Sequence, residues 1–159
     1  MRQPTGIDHF KAAIIEILDE TFDTHHGLYL DRGTSLFETL ATVTAAEASI
    51  PVSASCASIA AQVNHVTYYL DVLNGDLSGN EPASVDWTQA WTIGPVNDEE
   101  WTTLIGHLRA AANETTALLE STQEWSEDAA YGAVSIAVHT AYHLGEIRQA
   151  LCTIQNRTT

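Results

Sequence analysis

Three histidines and one glutamate have the types and spacing to do chemistry. His139 and His143 are four residues apart in the segment HTAYHLGEI. On an α-helix that spacing leaves two imidazoles about 40° apart around the axis and roughly 6 Å apart along it, close enough to converge on one ion. Both lie in a row with Ile136, Ile147, Ala150 and Ile154, the face expected to be buried, so they are either satisfied core residues or ligands. His65 lies in the middle of another apolar-periodic segment, from which it can face the pair. Three neutral imidazoles and an open position make a catalytic divalent-metal site, and zinc or nickel suits such ligands. Metal affinity would then fall as the imidazoles protonate in the ordinary histidine range.

Glu146 follows His143 by three residues and His139 by seven, on the same helix face. It is the candidate catalytic residue, as a general base, with three alternatives: an acceptor that orients an imidazole, a fourth ligand, or an exposed helix carboxylate. The Glu directly after the first His that marks the zinc-protease helix is absent, because Thr140 stands there. His9, His25, His26 and His107 form no comparable set, although the adjacent His25 and His26 fall in a turn that can border a site.

The elements that must position these residues are helical. Periodicity of 3.6 recurs in four long segments, and no sustained alternation marks a strand, so the expected fold is all-α. The first segment runs from about Ile7 to Phe22, with Ile7, Phe10, Ile14, Ile17, Leu18 and Thr21 on one face. A turn-rich stretch follows, and then Ser35 with Glu38 and Thr44 with Glu47 repeat the capping-box spacing. Pro51 closes that region. The second long segment starts among Ser53, Ser55 and Ser58 and is expected to end at Asn74-Gly75. From Gly75 to Val96 glycines and prolines interrupt the pattern, which predicts a long loop whose Trp87 and Trp91 either cover a site or plug the bundle end. Asn97 and Glu100 cap the third segment, and Ser126, Glu127 and Asp128 open the fourth, which reaches Ile154. Four such helices predict a bundle with sites built by inward-facing side chains. Its common core should hold Ile14, Ile17, Val66, Leu70, Leu104, Leu108, Ile136 and Ile147.

A single domain over residues 1–159 accounts for the length, and 45% apolar residues supply its core. The 21 Asp and Glu against six Lys and Arg give a formal charge of -15, which repels phosphate backbones. No apolar run long enough to span a bilayer and no leader pattern stand in the sequence, so a cytoplasmic protein is expected. The expected partners are a small-molecule substrate and a second copy of the chain, with no nucleic acid and no membrane. Cys56 and Cys152 form no metal or redox spacing and read as buried free thiols.

Taken together, QVNHVTYYLDVL around His65, HTAYHLGEIRQAL near the C-terminus, SLFETLATVTAAEAS between the first two long helices and DWTQAW before the third resemble the DinB-like family, which includes metal-dependent bacillithiol S-transferases. The resemblance spans nearly the whole chain. It implies an up-down-down-up four-helix bundle whose metal triad falls on His65, His139 and His143, a role in a stress response, and an activity in which the metal activates a thiol or water for group transfer or hydrolysis. A low-molecular-weight thiol is an implied cosubstrate. Where the family usually carries HxGQI this chain has HLGEI, with Glu146 in the glutamine place. A non-catalytic metal- or small-ligand-binding protein is the alternative.

Overall fold

A computed structural model describes residues 5–157, and among them every regular element is helical. The six outermost residues of the domain expected over 1–159 lie outside that range. Four long helices, α1 (Gly6–Phe22), α4 (Ile59–Ser78), α5 (Asp98–Ser121) and α6 (Glu127–Gln155), carry the structure. Two short ones, α2 (Leu36–Leu40) and α3 (Ala45–Ala48), lie in the first connection, and a 3-10 turn (Gln89–Trp91) lies in the second.

Side chains at the helix starts satisfy the amides that a first turn leaves without partners. The Glu38 carboxylate accepts from the Ser35 N–H and hydroxyl, and Glu47 does the same for Thr44. Asn97 Oδ1 accepts from the amides of Glu99 and Glu100, while Glu100 accepts from the Asn97 N–H. Ser58 and Ser126 cap α4 and α6. The turn-rich segment after α1 is tied down differently. Glu20, fully buried on α1, accepts from the backbone N–H groups of Gly27, Leu28, Tyr29 and Leu30. Burial alone would raise its pKa, but the four amides together hold it below the usual carboxylate value.

Helix α4 packs against α5 and α6, and α1 packs against the same two, so the four enclose one core. Ile14, Val66, Leu70, Leu104, Leu108, Ile136 and Ile147 are buried in it, as their spacing predicts, while Ile17 is only half-buried. Ile7 is exposed, because the first turn of α1 offers it nothing to pack on; Phe10, one turn further, meets the edge of Trp125. Within the core, Asn74 donates to the Ala111 carbonyl and accepts from the Thr115 hydroxyl, which fixes α4 against α5.

Three expectations need correction. Helix α4 does not stop at Asn74-Gly75: the Asn74 amide is committed to α5, and Gly79, at φ 73°, supplies the left-handed cap five residues later. The expected loop is therefore shorter, and its centre is ordered by the 3-10 turn, whose Ala90 carbonyl accepts from Asn64 of α4. Both cysteines are exposed. Cys152 faces outward between the inward-facing Leu151 and Ile154, and Cys56 precedes α4 in a loop.

Candidate metal centre

The bundle brings His65 of α4 against His139 and His143 of α6. One ring nitrogen from each lies within 4.8 Å of the others, so the three can hold a metal ion. The Nε2 atoms of His65 and His139 are 3.0 Å apart. Metal–nitrogen bonds of about 2.0–2.1 Å in tetrahedral array put neighbouring nitrogens about 3.3 Å apart, so the pair is close to ligating separation. His143 offers a ring nitrogen within 4.8 Å of both.

Each ring is oriented, but by different means. His143 Nδ1 lies 2.5 Å from Gln62 Oε1 and 3.1 Å from Glu146 Oε2. With two acceptors beside it, Nδ1 carries the proton, and the Nε2 lone pair is left for the ion. His65 Nδ1 and His139 Nδ1 are buried with no hydrogen-bond partner, so no acceptor orients those rings. Stacking does so instead. Trp91 lies flat on His65, with centroids 3.9 Å apart and planes at 17°, and Tyr69 lies on His139 at 3.6 Å and 11°.

The three imidazoles are kept uncharged. Burial first, and then proximity to His143, push His65 and His139 down to about 4. Burial also lowers His143, against the opposing pull of Glu146. A neutral imidazole has the lone pair that a cation requires, so the protonation state at neutral pH fits a metal site.

Glu146 is half-buried, and its two oxygens face different partners. Oε1 accepts from the Tyr142 hydroxyl at 2.8 Å, and Oε2 faces His143 Nδ1. The carboxylate therefore meets His143 at Nδ1, where an acceptor orients the ring and leaves Nε2 for an ion. Of the three histidines, His143 lines a cleft of about 880 Å³. Its walls include Trp91, Tyr142, His143 and Glu146, with Ser55, Cys56, Gln149 and Thr153 as further polar lining.

Of the aromatic candidates, Tyr69 and Trp91 touch the triad, Tyr142 binds Glu146, and Tyr68 accepts from the Asp86 N–H away from the histidines. Trp87 packs on Tyr68 and Tyr69. Neither indole plugs the bundle end, since both are about 40% exposed. His26 pairs with Asp19 on α1, and neither it nor His25 lines the cleft. Gln62 was not foreseen. Its signal was positional: it precedes His65 by three residues and so shares its helix face. No family model, curated protein or solved structure matches the chain.

Proposed function

We propose that this chain is a metal-dependent enzyme acting on a small molecule, with a divalent cation, zinc or nickel, held by His65, His139 and His143. One observation carries the proposal: three neutral imidazoles converge, and one of them, His143, lines a cleft large enough for a small substrate. When bound, such a cation supplies Lewis acidity that makes a thiol or water more acidic near neutral pH. The chain's residues do the rest. Gln62 and Glu146 hold His143 with its Nε2 free, Trp91 and Tyr69 hold the other two rings and shield them from water, and the hydroxyls and amides along the cleft offer hydrogen bonds to a polar substrate. Glu146 works through His143 as a positioning residue.

The resemblance to the DinB-like family supports the same reading, with an up-down-down-up bundle, a thiol cosubstrate and a cytoplasmic stress-response role as its finer content. No helix among the described residues is long and apolar enough to cross a membrane. The alternative, a protein that stores or senses the ion, calls for a closed site with Glu146 as fourth ligand. Both Glu146 oxygens already face Tyr142 and His143, and the centre borders an open cleft, which favours the enzyme.

The test is the metal content of protein purified without an affinity tag, followed by a screen for thiol conjugation and hydrolysis with the loaded protein. His65→Ala, His139→Ala and His143→Ala should each lose the ion. Full metal retention in all three variants would reject the site; retention in the wild type alone, with no turnover and no exchangeable water, would favour storage.

A further inference from the structure

The cleft beside His143 does not end at Trp91. A second hollow of about 670 Å³ adjoins it, and Ser55, Cys56, Ala57 and Trp91 line both. The two lobes differ in chemistry. Around the second stand Pro51, Ala54, Ala61, Ile93 and Pro95, with no charged side chain. Two of its hydroxyls are already committed, Ser58 to capping α4 and Ser49 to the backbone of Ala45 and Val96. That lobe suits a hydrocarbon group.

The first lobe carries one charge, that of Glu146. His143 is neutral, and no Lys or Arg lines either lobe. Nearby basic residues are engaged elsewhere: Arg148 donates to Thr39 Oγ1 and Arg157 to the Val52 carbonyl. Glu146 accepts from the Tyr142 hydroxyl and faces His143 Nδ1, yet it is 38% exposed, and a carboxylate has about four acceptor positions, so some remain open to the cleft. Beside it are Tyr142, largely exposed, and Trp91, which gives one face to His65 and is otherwise part of both lobes. Aromatic faces attract cations through their quadrupoles. A carboxylate flanked by two such rings, with no basic side chain on the walls, suits an ammonium group and offers a carboxylate or phosphate only repulsion from the side chains. An ion on the triad would repel an ammonium group. Glu146 meets His143 across the ring from the nitrogen left for that ion, where its charge offsets the repulsion.

We propose that the two lobes together take an organic cation with an apolar tail. The ammonium group sits against Glu146, Trp91 and Tyr142, and the tail passes Cys56 into the uncharged lobe. This names a substrate class for the proposed enzyme and rests on reading the cleft as its substrate site. General acidity of the surface does not account for it. The hollow between α4 and α6 bordered by Asp76, Glu81, Glu124 and Asp128 holds more charge, but it has no aromatic wall and serves as the control.

Calorimetric titration of the metal-free full chain, in about 0.15 M salt to screen the surface charge, tests the proposal with three probes that share a tail: hexyltrimethylammonium, 1-hexanol and hexanoate. The cation should bind about tenfold or more tighter than either of the others. It should also bind about 30-fold or more tighter than tetramethylammonium, from burial of the added methylenes. Glu146→Gln and Trp91→Leu should each weaken the cation about fivefold or more, Glu146→Gln should leave hexanol unchanged, and Glu124→Gln should change nothing. Circular dichroism of each variant should match the wild type, and two variants on different elements guard against one that fails to fold. No binding of the cation, equal or tighter binding of hexanol or hexanoate, or a cation affinity that ignores Glu146→Gln and Trp91→Leu overturns the proposal. So does an equal loss in Glu124→Gln, and tetramethylammonium binding as tightly as the hexyl probe overturns the tail's place. Zinc retention is scored separately. A protein that holds zinc but lacks the cation preference loses this inference and keeps the metal site, whereas one that takes the cation but no zinc keeps the ligand class and loses the metal-dependent enzyme.

Discussion

Removing the two acceptors behind His143 should weaken metal binding in a pattern that the distances dictate. Gln62 Oε1 is 2.5 Å from Nδ1 and Glu146 Oε2 is 3.1 Å from it. The single Nδ1–H is donated to the nearer oxygen, and the carboxylate stands ready to accept it. Loss of a group that orients a metal-binding histidine typically costs about 10- to 100-fold in affinity. Gln62→Leu should fall at the lower end, about tenfold or about 1.4 kcal/mol, because Glu146 takes over the hydrogen bond. Glu146→Leu leaves the Gln62 bond intact but removes a negative charge near the cation. That charge is more than a third exposed and thus screened, so its loss should cost no more than Gln62→Leu does. The double variant with Gln62→Leu and Glu146→Leu leaves Nδ1 with neither acceptor. It should lose about 100-fold or more, beyond the product of the two single effects, because each acceptor covers for the other. Competition against a chromophoric chelator at pH 7.5 (a buffer choice of about that value suits neutral imidazoles) measures all four proteins with zinc. Wild-type affinity in the double variant would refute the orientation argument, and strictly multiplicative losses would show that the two acceptors act independently.

Other expectations follow from the same structure. The metal-free protein should lose stability as pH falls from about 6.5 toward about 4, because His65 and His139 stay neutral when folded while the unfolded chain takes up protons in that window. Thermal melts at several pH values check this, and a flat profile across the window would contradict it. By the same shifts zinc affinity should begin to fall at lower pH than unperturbed imidazoles would give. Trp91 emission should change on metal binding, since its ring lies 3.9 Å from that of His65, and Trp91→Phe should remove most of the signal. Asn74→Ala should destabilise the bundle by about 1–3 kcal/mol through loss of the buried α4–α5 bridge, read by chemical denaturation; an unchanged midpoint would mean that Thr115 and Ala111 are satisfied without it.

The helix starts were legible because their determinants are local. A Ser, Thr or Asn followed three residues later by Glu needs nothing from the rest of the chain, and Ser35, Thr44 and Asn97 all use that pattern. The triad was legible for a related reason: periodicity placed His65, His139 and His143 near inward faces of two helices. The end of α4 was not, because Asn74-Gly75 is a good local stop signal overridden by a tertiary one, the amide bridge to α5. Cys152 was misjudged because free cysteines are usually buried, a general tendency that overrode its place two residues after Ala150, about 200° around the helix from the buried row. Gln62 shares the helix face of His65 by spacing, but that it meets His143, and that Trp91 rather than Trp87 stacks on His65, are relations between distant segments that spacing does not record. The acidic composition concealed a division of labour too, for Glu20, Glu38, Glu47 and Glu100 serve backbone amides as well as solvation.

Glu20 has a consequence of its own. The four amides around it belong to residues 27–30, and only the carboxylate comes from α1. The recognition is that of an anion by successive backbone N–H groups, with the anion supplied in cis. Such a contact is separable from the covalent chain that normally delivers it. In a Glu20→Gly protein the carboxylate's place would be open to a small visitor, and acetate or formate in the buffer would restore protection of the Leu28 and Leu30 amides against hydrogen exchange, where chloride would do so poorly. Chemical rescue of this kind would make the connection after α1 a receptor whose ligand evolution has tethered.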